Sequence, residues 1–259
     1  MTTPTTHRTN PISIWVITLL TLLGGAWFCW TLTDDVAREN VAGLMLWSGS
    51  PDNVYVAQPL SAHYAIDDLD GSFRFFQLFS YALIDRNAFD LAVSVLLLLL
   101  LGTRLNEILG NILFPITYVL LMVLAALSEH LALHSAPPMA LAGPGGAVMG
   151  LAGLVLVLCP LSRIGITIGP SSDTNSLKIF QARGLSLVVF TITFYELLPL
   201  ALRTTQHIPH GAQIGGFIAG ILLGAILLMT GLAQTQGADI AALWSAPLPT
   251  PPRAAKSAH

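Results

Sequence analysis

The stretch Gly143-Pro144-Gly145-Gly146-Ala147-Val148-Met149-Gly150-Leu151-Ala152-Gly153 decides how this chain is read. It carries no charge, runs on apolar to Leu161, and places glycines three to four residues apart. Helices in lipid gain little from hydrophobicity and associate where small side chains let backbones touch, so the pattern predicts a tightly packed membrane span over 144–161. A second stripe, Gly216, Gly220 and Gly224, has strict four-residue spacing within 214–232 and predicts a partner face of the same kind. The bland alternative is that small residues are frequent in membrane helices; two such faces in one chain weaken it.

The rest of the chain supports a lipid environment. Of 259 residues 54% are hydrophobic and 10% charged, with a mean hydropathy of +0.71. A soluble domain cannot hide that much apolar surface. Runs long enough for a bilayer, which needs about 20 apolar residues per helix, predict six spans, at about 11–32, 75–101, 112–128, 144–161, 184–202 and 214–232. The expected fold class is therefore all-α, a polytopic membrane helix bundle. Residues 1–10 form a short tail, 33–74 a long external loop with an apolar patch at 41–47, and 233–259 a Pro/Ala-rich tail expected to be disordered. The apolar run after Pro11 is too long for a signal-peptide core and reads as a retained anchor.

With a cytoplasmic N-terminus, Arg8, Arg104, Arg163, Lys178, Arg183, Arg253 and Lys256 share that side, against Arg38, Arg74, Arg86 and Arg203 outside. The bias favours cytoplasmic N- and C-termini, and the composition suits a bacterial inner membrane. A net charge of −3 gives no reason to expect nucleic acid. Cys29 and Cys159 fall near opposite membrane faces, so no disulfide is expected. No cofactor is implied.

Four local patterns at three anchors, in register, carry a family resemblance. Phe73-Arg74-Phe75-Phe76 is similar to a Trp-Arg-Tyr-Phe signature, and Leu101-Gly102 followed by Asn106-Glu107-Ile108-Leu109-Gly110 to an "LG…E-x-x-LG" helix end. Gly143-Pro144-Gly145-Gly146-Ala147 is similar to G-x-S-G-A, and Ala212-Gln213 followed by Gly216 to A-H-x-x-G. The chain thus resembles the rhomboid intramembrane serine proteases over about 73–224, with Phe73, Arg74, Gly102, Glu107, Gly110, Gly143, Gly146, Gly150, Gly216, Gly220 and Gly224 as structural matches.

That family's chemistry implies a serine nucleophile, a histidine base and two oxyanion helpers on the second span. The matching positions here are Gly145 for the nucleophile, Gln213 for the base, and Asp90 and Ser94 for the helpers. Glycine has nothing to attack with, and an amide has no useful basicity near neutral pH. An ionised Asp90 would repel an oxyanion. Loss of such a dyad costs about 10⁶ in turnover, so the resemblance points to a catalytically inactive member, similar to inactive rhomboids and derlins. The implied partners are the bilayer and the transmembrane segments of client proteins, whose trafficking, assembly or turnover it would influence.

Other polar residues permit competing readings. Asp90 is expected either to be hydrated near the outer interface or to bond Gln213 across the former active-site cavity. Ser94 or Ser128, with a nearby histidine, could form a relocated protease centre, and Asp90 with Glu196 a transport path; no repeated pair of interrupted helices supports the latter. Asp85 and Asp90 point about 140° apart on a helix, which argues against an aspartyl protease. His130, His134, His207 and His210 form a weak metal-site candidate, because interfacial histidines are commonly just solvated.

Overall fold

The structure is a computed structural model that describes residues 12–31, 46–48, 76–83, 88–132, 139–141, 143–168, 177–198, 201, 210–235, 237 and 239–241. Helix α1 (Ile12–Thr31) is followed by strand β1 (Leu46–Ser48), the short helix α2 (Gln77–Ser80) with a 3-10 turn at Tyr81–Leu83, and α3 (Ala88–Ala132). Strand β2 (Met139–Leu141) leads into α4 (Gly145–Leu158), then come strands β3 (Arg163–Ile168) and β4 (Leu177–Arg183). Helix α5 (Gly184–Ile192) widens into a π-turn at Thr193–Leu197, and α6 is His210–Met229.

Helix α3 is two helices joined at Gly110, whose φ of 79° and ψ of 171° leave helical space. Only glycine adopts that conformation without strain, which is why the chain reverses there. Each half, 88–109 and 111–132, is about 33 Å long at 1.5 Å per residue, matching a hydrocarbon core of about 30 Å. Ala88–Ala132 and His210–Met229 are long and apolar enough to cross a membrane.

The bundle is apolar outside as well as inside. Along α6, Ile214, Ile218, Leu222, Ile226 and Met229 point outward at least half exposed, while Gly216, Gly220 and Gly224 are buried. Water would penalise such a surface, whereas lipid accepts it. The buried face meets α4 backbone to backbone. A β-carbon on Gly216 would stand 2.1 Å from the Gly146 carbonyl oxygen, and one on Gly220 2.0 Å from that of Gly150. In the opposite sense, a β-carbon on Gly153 would reach the Phe217 carbonyl oxygen at 2.3 Å. Gly224 lies against Val157, and Gly146 also packs on Ala125 of α3.

Helix α4 is the centre of the bundle. Twelve of its 14 residues are buried, and at about 21 Å it is shorter than the bilayer core. Its entry segment 143–144 is non-helical yet tolerable at depth because protein surrounds it. The Gly143 N–H donates to the Tyr81 carbonyl at 3.0 Å. The Tyr81 hydroxyl donates to the Met122 carbonyl at 2.8 Å, tying the short α2 segment to α3. Helix α1 packs on α3, with Ile14 against Gly102 and Leu91 against Gly25. At that seam Ser13 bonds Asn106, whose amide donates to Asn111 at 3.0 Å.

Several expectations need correction. The fold is mostly helical rather than all-α: β1 pairs with β2 through Leu46↔Leu141, and β3 with β4 through Arg163↔Arg183. The apolar patch at 41–47 thus contributes its end to a ladder in front of α4. Within the expected 75–101 span the long helix starts only at Ala88, after the short α2, and continues to the Gly110 break. The tail expected to be disordered from 233 is packed at its start, where Thr235 and Asp239 are buried and bonded to each other and the Gln234 N–H donates to the Ile108 carbonyl. Phe73, Arg74, Asp85, His134 and His207, and residues 242–259, lie outside the described residues.

Candidate functional site

The N-terminus of α4, the start of α3, the π-turn after α5 and the N-terminus of α6 converge on one polar cluster. Gly145 opens α4, and directly over it lies the ring of Tyr195: a β-carbon at Gly145 would stand 3.1 Å from Cε1. Any side chain there must push the ring aside by a few tenths of an ångström. Beyond the ring, the Tyr195 hydroxyl is 2.9 Å from the hydroxyl of buried Ser94. Asp90, one helical turn before Ser94, is partly exposed near the start of α3.

Gln213 is buried on the first turn of α6. In the amide orientation that satisfies both of its ends, Nε2 donates to the Tyr195 carbonyl at 3.1 Å and to Glu196 Oε1 at 2.7 Å. The first bond has a local cause. The α-helical partner of the Tyr195 carbonyl would be residue 199, a proline, which has no N–H. Gln213 adds a side-chain donor at this carbonyl. Both bonds tie Gln213 to the π-turn.

Glu196 is held at both oxygens, since Oε2 meets His210 Nδ1 at 2.6 Å. Its carboxylate is 17% exposed and the His210 ring 49%, so this pair sits at the edge of the cluster. On the inner side, fully buried Glu129 of α3 accepts the Ala212 N–H at 2.7 Å. The first N–H groups of a helix lack internal partners and carry its positive dipole end, so a carboxylate there caps α6 from a neighbouring helix. Gly211 makes room for it, because a β-carbon would come within 2.6 Å of Glu129 Oε2.

The structure thus brings Gly145, Ser94 and Gln213 together through Tyr195 and Glu196. Glu107, one of the structural matches, pairs with Arg104 at 2.7 Å just before the Gly110 break, at the end of the first half of α3. Ser128, considered as an alternative nucleophile, donates to the Leu124 carbonyl at 2.8 Å and packs its β-carbon on Gly215. Among the described residues no three His, Cys, Asp or Glu side chains are grouped to hold a metal ion.

Tyr195 was invisible in the sequence as a site residue. Its only signal there is its place two residues after Thr193 in an apolar run that ends at Pro199, which does not reveal which way the ring turns. Glu129 was legible only as a neighbour of His130.

These elements define a helical membrane domain whose central helix α4 starts inside the bundle at a polar cluster. The family model for the Rhomboid domain matches residues 72–230, and the chain belongs to the rhomboid family, a family of membrane-embedded proteins that includes serine proteases. No curated protein matches the chain.

Proposed function

We propose that this chain is a six-span, catalytically inactive rhomboid that binds transmembrane segments of client proteins and influences their trafficking, assembly or turnover. One observation carries the reading: the position matching the family's nucleophile is Gly145, and the space a nucleophilic side chain would occupy faces the Tyr195 ring at 3.1 Å. Amide hydrolysis needs a nucleophile, a base for its proton, and donors for the oxyanion. Gln213 cannot accept a proton usefully, and its N–H groups already serve Tyr195 and Glu196. The Ser94 hydroxyl is engaged with Tyr195.

The Gly216/Gly146 and Gly220/Gly150 contacts remain tight beside this altered centre, which fits a scaffold retained for binding. The charge bias supports cytoplasmic N- and C-termini, and the composition a bacterial inner membrane. The test is photo-crosslinking in membranes from residue 194, beside the cluster, with residue 226 on the lipid-facing side of α6 as control. Crosslinks to the membrane-spanning segments of particular proteins from 194 only are expected; equal capture from both positions would contradict client binding.

A further inference from the structure

The hairpin β3–β4 leaves α4 four residues after its end and enters α5 at once, so its base stands at the ends of two apolar bundle helices. Its base is stapled by the Gly184 N–H to the Ser162 carbonyl and the Leu185 N–H to the Pro160 carbonyl, both 2.9 Å. The strands alternate in environment. Ile164 is buried in the bundle core with Ala182 packed beside it, whereas Arg163, Gly165, Gln181 and Arg183 are exposed.

The register puts Arg163 opposite Arg183. Like charges directly opposite on a ladder repel, with β-carbons about 4.5–5.5 Å apart. Neither arginine has an acidic partner among the described residues. A register shift between Ile166 and Thr167 then brings Lys178, rather than Ile179, opposite Thr167, so the position of Lys178 falls on the face that carries both arginines. Between Cys159 and Tyr195 the sequence offers Asp173 as its sole acidic residue. Arg104 approaches the same base, donating to the Ser162 hydroxyl at 3.2 Å, but Glu107 already neutralises it.

We infer that the outer face of the β3–β4 hairpin is a binding site for the anionic headgroup of a bilayer phospholipid, with its phosphate bridging Arg163 and Arg183. A phosphate between two guanidinium groups removes their repulsion and accepts their paired donors. The lipid surface is the source that the location supplies, because the hairpin is rooted at the ends of membrane helices. The inference is independent of whether the protein cleaves anything.

Native mass spectrometry of the full chain, titrated with phosphatidylglycerol or phosphatidylcholine, tests it. Phosphatidylglycerol is expected to bind preferentially. Arg163→Gln/Arg183→Gln should weaken it by about fivefold per charge, about 25-fold together, while Arg253→Gln/Lys256→Gln, which removes equal charge from the tail, should not. Arg163→Lys/Arg183→Lys, which keeps the charge, should retain most of the preference and so separate headgroup binding from misfolding. Equal binding of the two lipids would overturn the inference. So would a loss in the lysine variant as large as in the glutamine variant, or displacement of the lipid by equimolar inorganic phosphate.

Discussion

The hydroxyls of Ser94 and Tyr195 lie 2.9 Å apart and join the start of α3 to the π-turn that follows α5. Ser94 is 2% exposed, so removing its partner strands a buried hydroxyl. Tyr195→Phe should cost about 1–3 kcal/mol. Adding Ser94→Ala to it should recover part of that loss, because both partners are then apolar. Thermal melts of the two single variants and the double variant, read as a cycle, check this coupling.

The α4–α6 contact admits no side chain. Gly220→Ala places a β-carbon about 2.0 Å from a backbone carbonyl oxygen, and backbone cannot yield as a flexible side chain can. A loss at or beyond the upper end of about 1–3 kcal/mol is expected, against about 1–2 kcal/mol for Gly231→Ala, where only the positive φ of 70° is strained and no atom lies within 4 Å. Comparable destabilisation of the two variants in detergent would refute the backbone-contact account.

Glu129 separates hydrogen bonding from charge. Glu129→Gln keeps an acceptor for the Ala212 N–H and forfeits the charge–dipole attraction, about 0.3–1 kcal/mol and up to about 2 when buried. Glu129→Ala strands the N–H and should cost more, about 1–3 kcal/mol. Hydrogen exchange at the first turn of α6 should accelerate most in the alanine variant.

The bundle was legible in the sequence where glycine spacing is tied to a physical need. Gly216 and Gly220 meet carbonyl oxygens of α4, and Gly110 needs a positive φ, so each residue type is dictated by its surroundings. Gly145, Gln213 and Ser94 were readable as positions because the motifs that carry the resemblance fix their spacing. The contacts these residues make were not readable. Tyr195, which reaches Gly145, lies in a turn at Thr193–Leu197 that is wider than an α-turn, and no local propensity marks that. Strands β3 and β4 do not stand out in the sequence, because their short alternating pattern is small beside the neighbouring apolar helices. The reach of Glu129 to Ala212, 83 residues apart, depends on the packing of whole helices.

Restoring the two dyad residues should not restore chemistry. In Gly145→Ser/Gln213→His the new serine still meets the Tyr195 ring, and the donor that Gln213 gives to the Tyr195 carbonyl is lost. The variant is expected to be less stable than wild type and to cleave no transmembrane substrate. Quantifying cleavage of a panel of single-span substrates in proteoliposomes checks this.

The central claim is that no side chain around Gly145 acts as a nucleophile. Treating the reconstituted wild-type protein with a fluorophosphonate serine probe and mapping the adducts by mass spectrometry tests it most directly. The account predicts no labelled residue. A stoichiometric adduct on Ser94 or Ser128, lost in the matching alanine variant together with cleavage of a transmembrane substrate, would contradict it.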